Sequence, residues 1–350
     1  EPDARRRLPP REEMGAADVR ALDLDDMGWP PDSAAERRAK VAALEARCRE
    51  VAADAPVRSL SVNWWDGRID SGMVTSNGFS SRWQRTSMGY GGSITLEEPG
   101  GRLPEGYQYC AARHSEDLMS FDDVATALLE QGTRRMKSTA APSGRYAMLL
   151  DKQVVGQLMR VLIGPLGGTA VYEGRSCLKD KLGARIAPEG FSIIDDPLIP
   201  RALGSRPYTG DGFPSMQRAV LEDGVLRTFF ISLYNARRLG VAPTTGGASN
   251  LVIAPGDQSP EALMKAAGRV IRVEGFLGGN TSEITGDFSF GVNGTLFENG
   301  EPVQAVSEMN ISGNLFELME RWQAAADDVW TYSAWRSPSL LFDDIQFSGT

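Results

Sequence analysis

Apolar and polar positions along the chain change period several times, and each change marks an element. After Ser33, the residues Val41, Leu44, Cys48 and Val51 recur at helical spacing. Ser33 and Glu36 stand three apart, the capping-box spacing that satisfies two orphan backbone donors at a helix start. From Val57 to about Glu98 the pattern shortens to β-like runs, such as Ser59-Leu-Ser-Val-Asn-Trp-Trp, broken by Gly, Asn and Asp. Such runs predict an antiparallel meander, to which residues 107–112 add a strand. Ser120, with Asp123 three residues on, caps a second helix through Val124, Leu128 and Leu129 towards Met136.

Residues 137–145 are small and include Pro142 and Gly144, so a domain boundary is expected there. Beyond it, strands and helices mix without a βαβ rhythm. The pattern predicts a strand at 146–150, an apolar helix over 153–163, and a hairpin turning at Glu222-Asp223-Gly224. Ser232 opens a helix that Gly240 closes, and Ser259-Pro260 opens another that Gly268 ends. A strand at 270–276, a hairpin turn at Glu298-Asn299-Gly300, a helix over 314–326 and a strand at 340–347 complete the chain. Hairpins outnumber crossovers, so the fold class is α+β: a helix-plus-antiparallel-meander first domain, then a mixed, mostly antiparallel β domain. The expected divisions are 1–32, a linker or the remnant of a missing N-terminal domain, then 33–137 and 138–350.

Composition narrows the function classes. With 41% hydrophobic and 24% charged residues among 350, the chain reads as globular, with room for two domains. No apolar run approaches the roughly eighteen residues of a membrane helix, and no secretory h-region is visible; a cytoplasmic location is expected. The net charge of −9 argues against nucleic-acid binding, which needs phosphate-neutralising cations. The run Arg5-Arg6-Arg7 sits among Pro and acidic residues and reads as a solvated tail. Cys48, Cys110 and Cys177 are too few and too scattered for a disulfide framework or a zinc ribbon, and read as reduced thiols.

The chain holds one histidine, His114. Catalytic zinc takes three protein ligands, commonly two or three of them His, and Ser- or Cys-based triads also need one. His114 has no second His at metal-ligand spacing and reads as a polar residue at the end of a strand. The commonest routes to hydrolysis therefore lack their residues here.

The second half carries a resemblance through a series of short stretches. They are Gly168-Thr-Ala-Val-Tyr-Glu-Gly-Arg-Ser-Cys-Leu, Lys181-Leu-Gly-Ala-Arg-Ile, Ile194-Asp-Asp-Pro and Gly204-Ser-Arg-Pro-Tyr-Thr-Gly-Asp-Gly. Asp223-Gly-Val-Leu, Leu233-Tyr-Asn-Ala-Arg-Arg-Leu-Gly, Thr285-Gly-Asp-Phe-Ser-Phe-Gly, Phe297-Glu-Asn-Gly and Ile311-Ser-Gly-Asn-Leu follow. Taken in this order and spacing, they resemble the C-terminal domain of the TldD/PmbA peptidase family along nearly its whole length. The first domain resembles the family's middle region more loosely, through Asn77-Gly-Phe and the meander around it. The resemblance implies that the family's N-terminal domain is absent from this chain.

In that family the TldD subunit carries a His-Glu-x-x-x-His zinc helix just before the segment matching 168–178. Counting back, the matching residues are Met159, Arg160, Val161, Leu162, Ile163 and Gly164. Met159 and Gly164 stand where the histidines would be, and Arg160 where the glutamate would be. Neither Met nor Gly suits zinc, and an Arg cation repels it. TldD also supplies a cysteine near its C-terminus, whereas no cysteine follows Cys177 here. The resemblance is thus to the TldE/PmbA type of the family. It implies no cofactor on this chain, zinc on a TldD-like catalytic partner in a heterodimer, and an extended peptide as substrate; charge and hydropathy, as above, argue against nucleic acid and membrane as partners. The alternative is a stand-alone binding or regulatory protein of the gyrase-modulator type. Without any family, Val154, Val155, Leu158, Leu162 and Ile163 make an apolar helix face with Met159 filling core space.

Other candidates are weaker. Asp195-Asp196 could form a carboxylate pair for acid/base work, but before Pro197 it reads first as an acidic turn. Glu283 and Asp287 complete a metal-free carboxylate alternative that no spacing marks. Gly278-Gly279-Asn280-Thr281-Ser282 lacks the Lys-Ser/Thr end of a P-loop. Its open backbone beside a strand makes Gly278, Gly279, Asn280, Ser282 and Gly286 a candidate substrate- or partner-facing patch, with a bulged hairpin as the structural alternative. Trp64, Trp65, Trp83 and Trp335 are either interface anchors or buried core.

Overall fold

The computed structural model describes residues 3–29 and 32–349. A mostly irregular N-terminal segment holds a 3-10 turn at Arg11–Glu13 and one short α-helix, α1 (Val19–Leu22). Helix α2 (Ala34–Val51) begins at the expected capping box. The Ser33 hydroxyl accepts from the Glu36 N–H at 3.3 Å, and the Glu36 carboxylate accepts from the Ser33 N–H at 2.7 Å. Strands β1 (Val57–Val74) and β2 (Ser80–Leu96) then form one long antiparallel hairpin. The short runs expected over this stretch merge, because Asp66, Gly67 and Asp70 all stay in the ladder. Gly78 (φ 86°) makes the turn of this hairpin, whereas Gly89 inside β2 serves close approach: a Cβ there would overlap the Trp65 ring across the ladder. Strand β3 (Glu105–Ala112) pairs with β2, and α3 (Phe121–Arg134) follows, its Ser120 cap accepting from the Asp123 N–H at 3.1 Å. Both helices pack on this sheet, burying Leu44, Cys48, Tyr90, Ile94, Cys110, Val124 and Leu128.

One ion pair ties α2 to the sheet and sets a pH dependence. Arg37 donates from Nε and Nη2 to the Asp66 carboxylate at 2.5 and 2.9 Å. That hydrogen bonding holds the Asp66 carboxyl below the usual carboxylate range. A depressed folded value means the stabilisation is present above the unfolded carboxyl pKa, about 3.9. It is lost as pH falls through the folded value. Thermal melts are expected to show a stability loss below about pH 4, and Asp66→Asn should lower Tm at neutral pH while flattening that loss. An acid profile unchanged in the variant would assign the effect to other carboxylates.

The remainder of the chain builds two more sheets. Strand β4 (Gly144–Leu150) leads into α4 (Val155–Leu158), α5 (Arg160–Ile163), a 3-10 turn at Gly164–Leu166, and α6 (Gly168–Tyr172). Strands β5 (Ile193–Asp195), β6 (Arg218–Glu222) and β7 (Val225–Leu226) precede α7 (Leu233–Leu239). Then come β8 (Leu251–Val252), α8 (Pro260–Ala267), β9 (Arg269–Phe276), β10 (Asn280–Thr281), β11 (Asp287–Glu298) and β12 (Glu301–Asn314). Helix α9 (Leu315–Glu320), β13 (Trp322–Ala325), β14 (Trp335–Arg336) and β15 (Leu340–Gly349) finish the chain.

Strands β4, β9, β11, β12 and β15 pair in a closed ring, a small barrel. Along β4 the sides alternate: Tyr146, Met148 and Leu150 join the main core, while Ala147 and Leu149 pack under Leu263 and Met264 of α8. The other sheet has the order β14-β8-β5-β6-β7. Among the named strands only β4–β9 and β8–β14 pair in parallel, so the fold is α+β and mostly antiparallel.

Two helices differ from the sequence pattern. The stretch 153–163 is broken at Met159 into α4 and α5. Val155, Leu158, Met159, Val161, Leu162 and Leu166 are all buried, a set too wide for one helical face, and the break turns every one of them inward. The stretch 314–326 is helical only to Glu320. Trp322–Ala325 instead pairs with β15, placing Trp322 against Phe191 at 5.0 Å between ring centroids. Ladder pairing and burial override local helix propensity there.

The N-terminal segment packs against both halves of the molecule. Met14, Leu22, Leu24 and Trp29 are buried, and most of this cluster packs on Phe79, Trp83 and Tyr208. Ala17 N–H donates to the Pro207 carbonyl at 2.8 Å, Thr86 N–H to that of Leu24 at 3.0 Å, and the Asn77 amide to that of Pro9 at 2.9 Å. The Arg5-Arg6-Arg7 run is exposed yet tethered: Arg237 donates to the carbonyls of Arg5 and Arg7, and Arg6 lies 5.0 Å from the Tyr234 ring. Residues 1, 2, 30 and 31 of the expected 1–32 division lie outside the described residues.

Candidate functional site

Pairing of β4 with β9, and of β9 with β11, brings two distant stretches together. The first is α4–α5, which follows β4. The second is the segment from the end of β9 through β10 into β11. Between them lies a groove of about 320 Å³, lined by Gln157, Arg160, Phe276, Gly278, Gly279, Thr281 and Phe290. Its floor is aromatic, with the Phe276 and Phe290 ring centroids 5.1 Å apart. Gly278 (φ 76°) and Gly279 (φ 147°) hold left-handed backbone, and a Cβ at Gly279 would overlap the Phe290 ring. Glycine therefore lets this backbone lie directly on the aromatic floor.

Of Met159, Arg160 and Gly164, which the resemblance sets against a metal-binding helix, only Arg160 faces the groove; it is exposed, whereas Met159 is buried in the main core. Gly164 abuts Glu283, whose Oε1 would stand 2.9 Å from a Cβ there. Of the candidate patch, Gly278 and Gly279 line the groove, and Asn280 is exposed on β10 beside it. Ser282 and Gly286 are not among the groove-lining residues. The Ser282 N–H donates to the Asp287 carbonyl at 2.8 Å, and Gly286 is buried against Leu315, Cys177 and Asn314. Gln157, Phe276 and Phe290 are not among the site candidates read from the sequence, although Phe290 lies in the matched stretch 285–291; each reads locally as an ordinary helix or strand position.

The donor set does not fit a zinc ion. A buried thioether, a guanidinium and a glycine occupy the three positions. Among the described residues no group of three or more His, Cys, Asp or Glu side chains is placed to hold a metal.

The other candidates are engaged elsewhere. His114, just past β3, is buried with Nε2 2.9 Å from the Asp23 carbonyl oxygen. Asp195 and Asp196 take separate partners. Asp195 is fully buried and accepts from the Ser249 N–H and hydroxyl, while Asp196 accepts from the Leu198 N–H and the Gln217 amide. Glu283 faces Arg175 at 3.7 Å. Asp287 accepts from the Thr285 hydroxyl and the Asn314 amide, which hold its carboxyl below the usual range. Trp64 stacks on Tyr90, Trp83 lies in the N-terminal cluster, Trp335 packs on Gly156, and Trp65 is partly exposed. All three thiols are free, and no helix among the described residues is long and apolar enough to cross a membrane.

Residues 143–349 match the family profile described as the PmbA/TldA metallopeptidase C-terminal domain. The metalloprotease PmbA of Escherichia coli O157:H7 is 29% identical over 259 residues, covering 73% of this chain and 58% of that protein. A metalloprotease TldD homolog of Buchnera aphidicola (subsp. Acyrthosiphon pisum) is 26% identical over 227 residues, 61% of this chain and 46% of its own length. The chain thus spans about half the length of the curated relatives it matches. A crystal structure from Bacteroides thetaiotaomicron, described as a modulator of DNA gyrase, superposes with a TM-score of 0.90 at 31% identity, covering 100% of this chain and 79% of that one. TldE from Thermococcus kodakarensis shares the fold, with a TM-score of 0.85 at 18% identity over 100% of this chain and 81% of that one.

Proposed function

The chain belongs to the PmbA/TldD metallopeptidase family, and from that membership we propose that it is a non-catalytic, TldE-like subunit of a heterodimeric zinc peptidase. The observation that carries this reading is the triad Met159, Arg160 and Gly164 in a chain with a single histidine. These residues cannot ligate zinc or serve as the base beside it. Metal, water and general base would belong to a TldD-like partner. This chain would wall one side of the peptidase chamber and position an extended peptide through backbone pairing.

The test measures zinc content and cleavage of an unfolded peptide by this chain alone, by a TldD-like protein of the same source, and by the mixture. A metal-free, inactive chain that raises or enables cleavage by the partner is the expected result. Chelator-sensitive cleavage by the isolated chain would sink the proposal.

A second reading is a stand-alone regulatory protein, favoured by the description of the Bacteroides thetaiotaomicron neighbour as a gyrase modulator. The net charge of −9 weighs against direct DNA contact in that role. Recovery from native cells with a TldD-like protein at equal stoichiometry supports the first reading; recovery as a homodimer with another client supports the second.

A further inference from the structure

We infer that the α5–β10 groove captures the C-terminal α-carboxylate of an extended peptide, with Arg160 as its cationic anchor and the β10 edge as its backbone rail. The inference deepens, and rests on, the reading of this chain as a peptide-positioning subunit.

Arg160 carries the argument. Its guanidinium makes no hydrogen bond, ion pair or ring contact with the described residues. Around the same barrel, Arg134, Arg145, Arg272 and Arg321 each pair with a carboxylate. Arg160, on α5 beside these strands, is left without a carboxylate in a chain of net charge −9. Three residues earlier, the exposed Gln157 side chain also has no hydrogen-bond partner among the described residues. Guanidinium and amide together offer several N–H donors on one wall of the groove. A planar guanidinium recognises a carboxylate through paired, charge-assisted hydrogen bonds.

The opposite wall supplies the backbone. Strand β10 ends its sheet and pairs only with β11 among the described strands, through Asn280–Ser289 and Thr281–Phe288. Both β10 residues are exposed, so the edge is open to strand addition. The ladder is two residues long, and the groove, at about 320 Å³, is near the lower end of ligand-pocket sizes. These dimensions suit the end of a peptide better than its middle. A terminal carboxylate continues the backbone line that the edge holds, whereas an acidic side chain leaves a ladder perpendicular to it. The Phe276 and Phe290 floor would take an apolar side chain next to that terminus.

The test is fluorescence anisotropy on the isolated chain with three N-terminally labelled short peptides: a neutral peptide as free acid, the same peptide as C-terminal amide, and an amide carrying one internal glutamate. The free acid is expected to bind about tenfold tighter than the plain amide, the worth of one set of charge-assisted hydrogen bonds. Arg160→Gln should erase that preference while leaving Tm unchanged, because Arg160 is exposed; Arg160→Lys should keep part of it. Equal affinity for acid and amide, an unchanged preference in Arg160→Gln, or no binding of any peptide at millimolar concentration overturns the inference. So does equal binding of the glutamate amide and the free acid, which would assign the site to acidic side chains. No metal, partner or turnover enters this measurement. A null result here leaves the silent-subunit reading to its own cleavage assay, and failure there leaves the carboxylate preference measurable.

Discussion

Asp195→Ala is expected to cost the fold about 3–5 kcal/mol, read as a fall in the urea midpoint at constant m-value. The Asp195 carboxylate is fully buried, and one oxygen accepts both the Ser249 N–H and the Ser249 hydroxyl at 2.6 Å. Arg218 Nη1 stands 3.5 Å from the other oxygen, and the Asp195 charge also offsets the burial that pushes the Arg206 guanidinium down. Truncation orphans two donors and leaves sheltered cations without their carboxylate, and breaking a buried pair from one side costs more than the pair contributes. Asp195→Asn keeps the volume and one acceptor and should cost less, about 2 kcal/mol. Asp196→Asn should be close to neutral, because the side-chain oxygen that takes the Leu198 N–H at 2.8 Å survives the change. This contrast also tests the rival reading of Asp195 and Asp196 as an acid/base pair. That reading requires both substitutions to abolish an activity of the isolated chain. A stability-neutral Asp195→Ala with a catalytic defect would restore it.

What could be read from the sequence divides along the range of the forces involved. Helix starts were legible because a cap is local: Ser33, Ser120, Ser232 and Ser259 each accept a backbone N–H from three residues on. Hairpin turns at Asp223-Gly224 and Asn299-Gly300 were legible for the same reason, since both adopt the left-handed backbone their residue types favour. The uninterrupted β1–β2 ladder was not, because whether Gly67 breaks a strand depends on what lies across from it. The helix expected to run to Ala326 failed likewise: the β15 partner that captures Trp322 is encoded elsewhere in the chain.

The candidate site shows the same division. Arg160, Gly278 and Gly279 stood out in the sequence as an odd residue in a matched position and as a flexible loop. Their meeting in one groove required the β4–β9–β11 pairing, which no local pattern specifies. Phe276 and Phe290 alternate along strands as any core residues would, and Gln157 is an ordinary polar position on a helix. Ser282 and Gly286 shared the loop's composition but serve its internal turn.

Glu274→Ala is the second substitution expected to be severe, again about 3–5 kcal/mol by denaturant unfolding. Glu274 sits on β9 with its side chain almost wholly buried, and Arg134 of α3 donates to it from Nε at 3.1 Å. The Thr295 hydroxyl donates to its other oxygen at 3.3 Å, and Arg272 lies 3.7 Å away while pairing with Asp151 at 2.6 Å. The Glu274 carbonyl also accepts from Arg135 at 3.4 Å, so this residue clamps the end of α3 to the barrel. The two ends of the clamp are unequal. Arg134 is 40% exposed, and without it the buried Glu274 carboxylate still faces Arg272 at 3.7 Å and accepts from the Thr295 hydroxyl, so Arg134→Ala should cost only about 1 kcal/mol. Equal costs at the two ends would show that the pair matters through contact area and not through buried charge. The clamp also lies two residues before Phe276, where β9 runs into the groove. Its loss should raise amide hydrogen exchange over 276–281 more than over the β1–β2 hairpin, because local opening follows the contacts removed. Uniform acceleration across both regions would mean that Glu274 supports the whole fold and holds no special place in keeping the groove in shape.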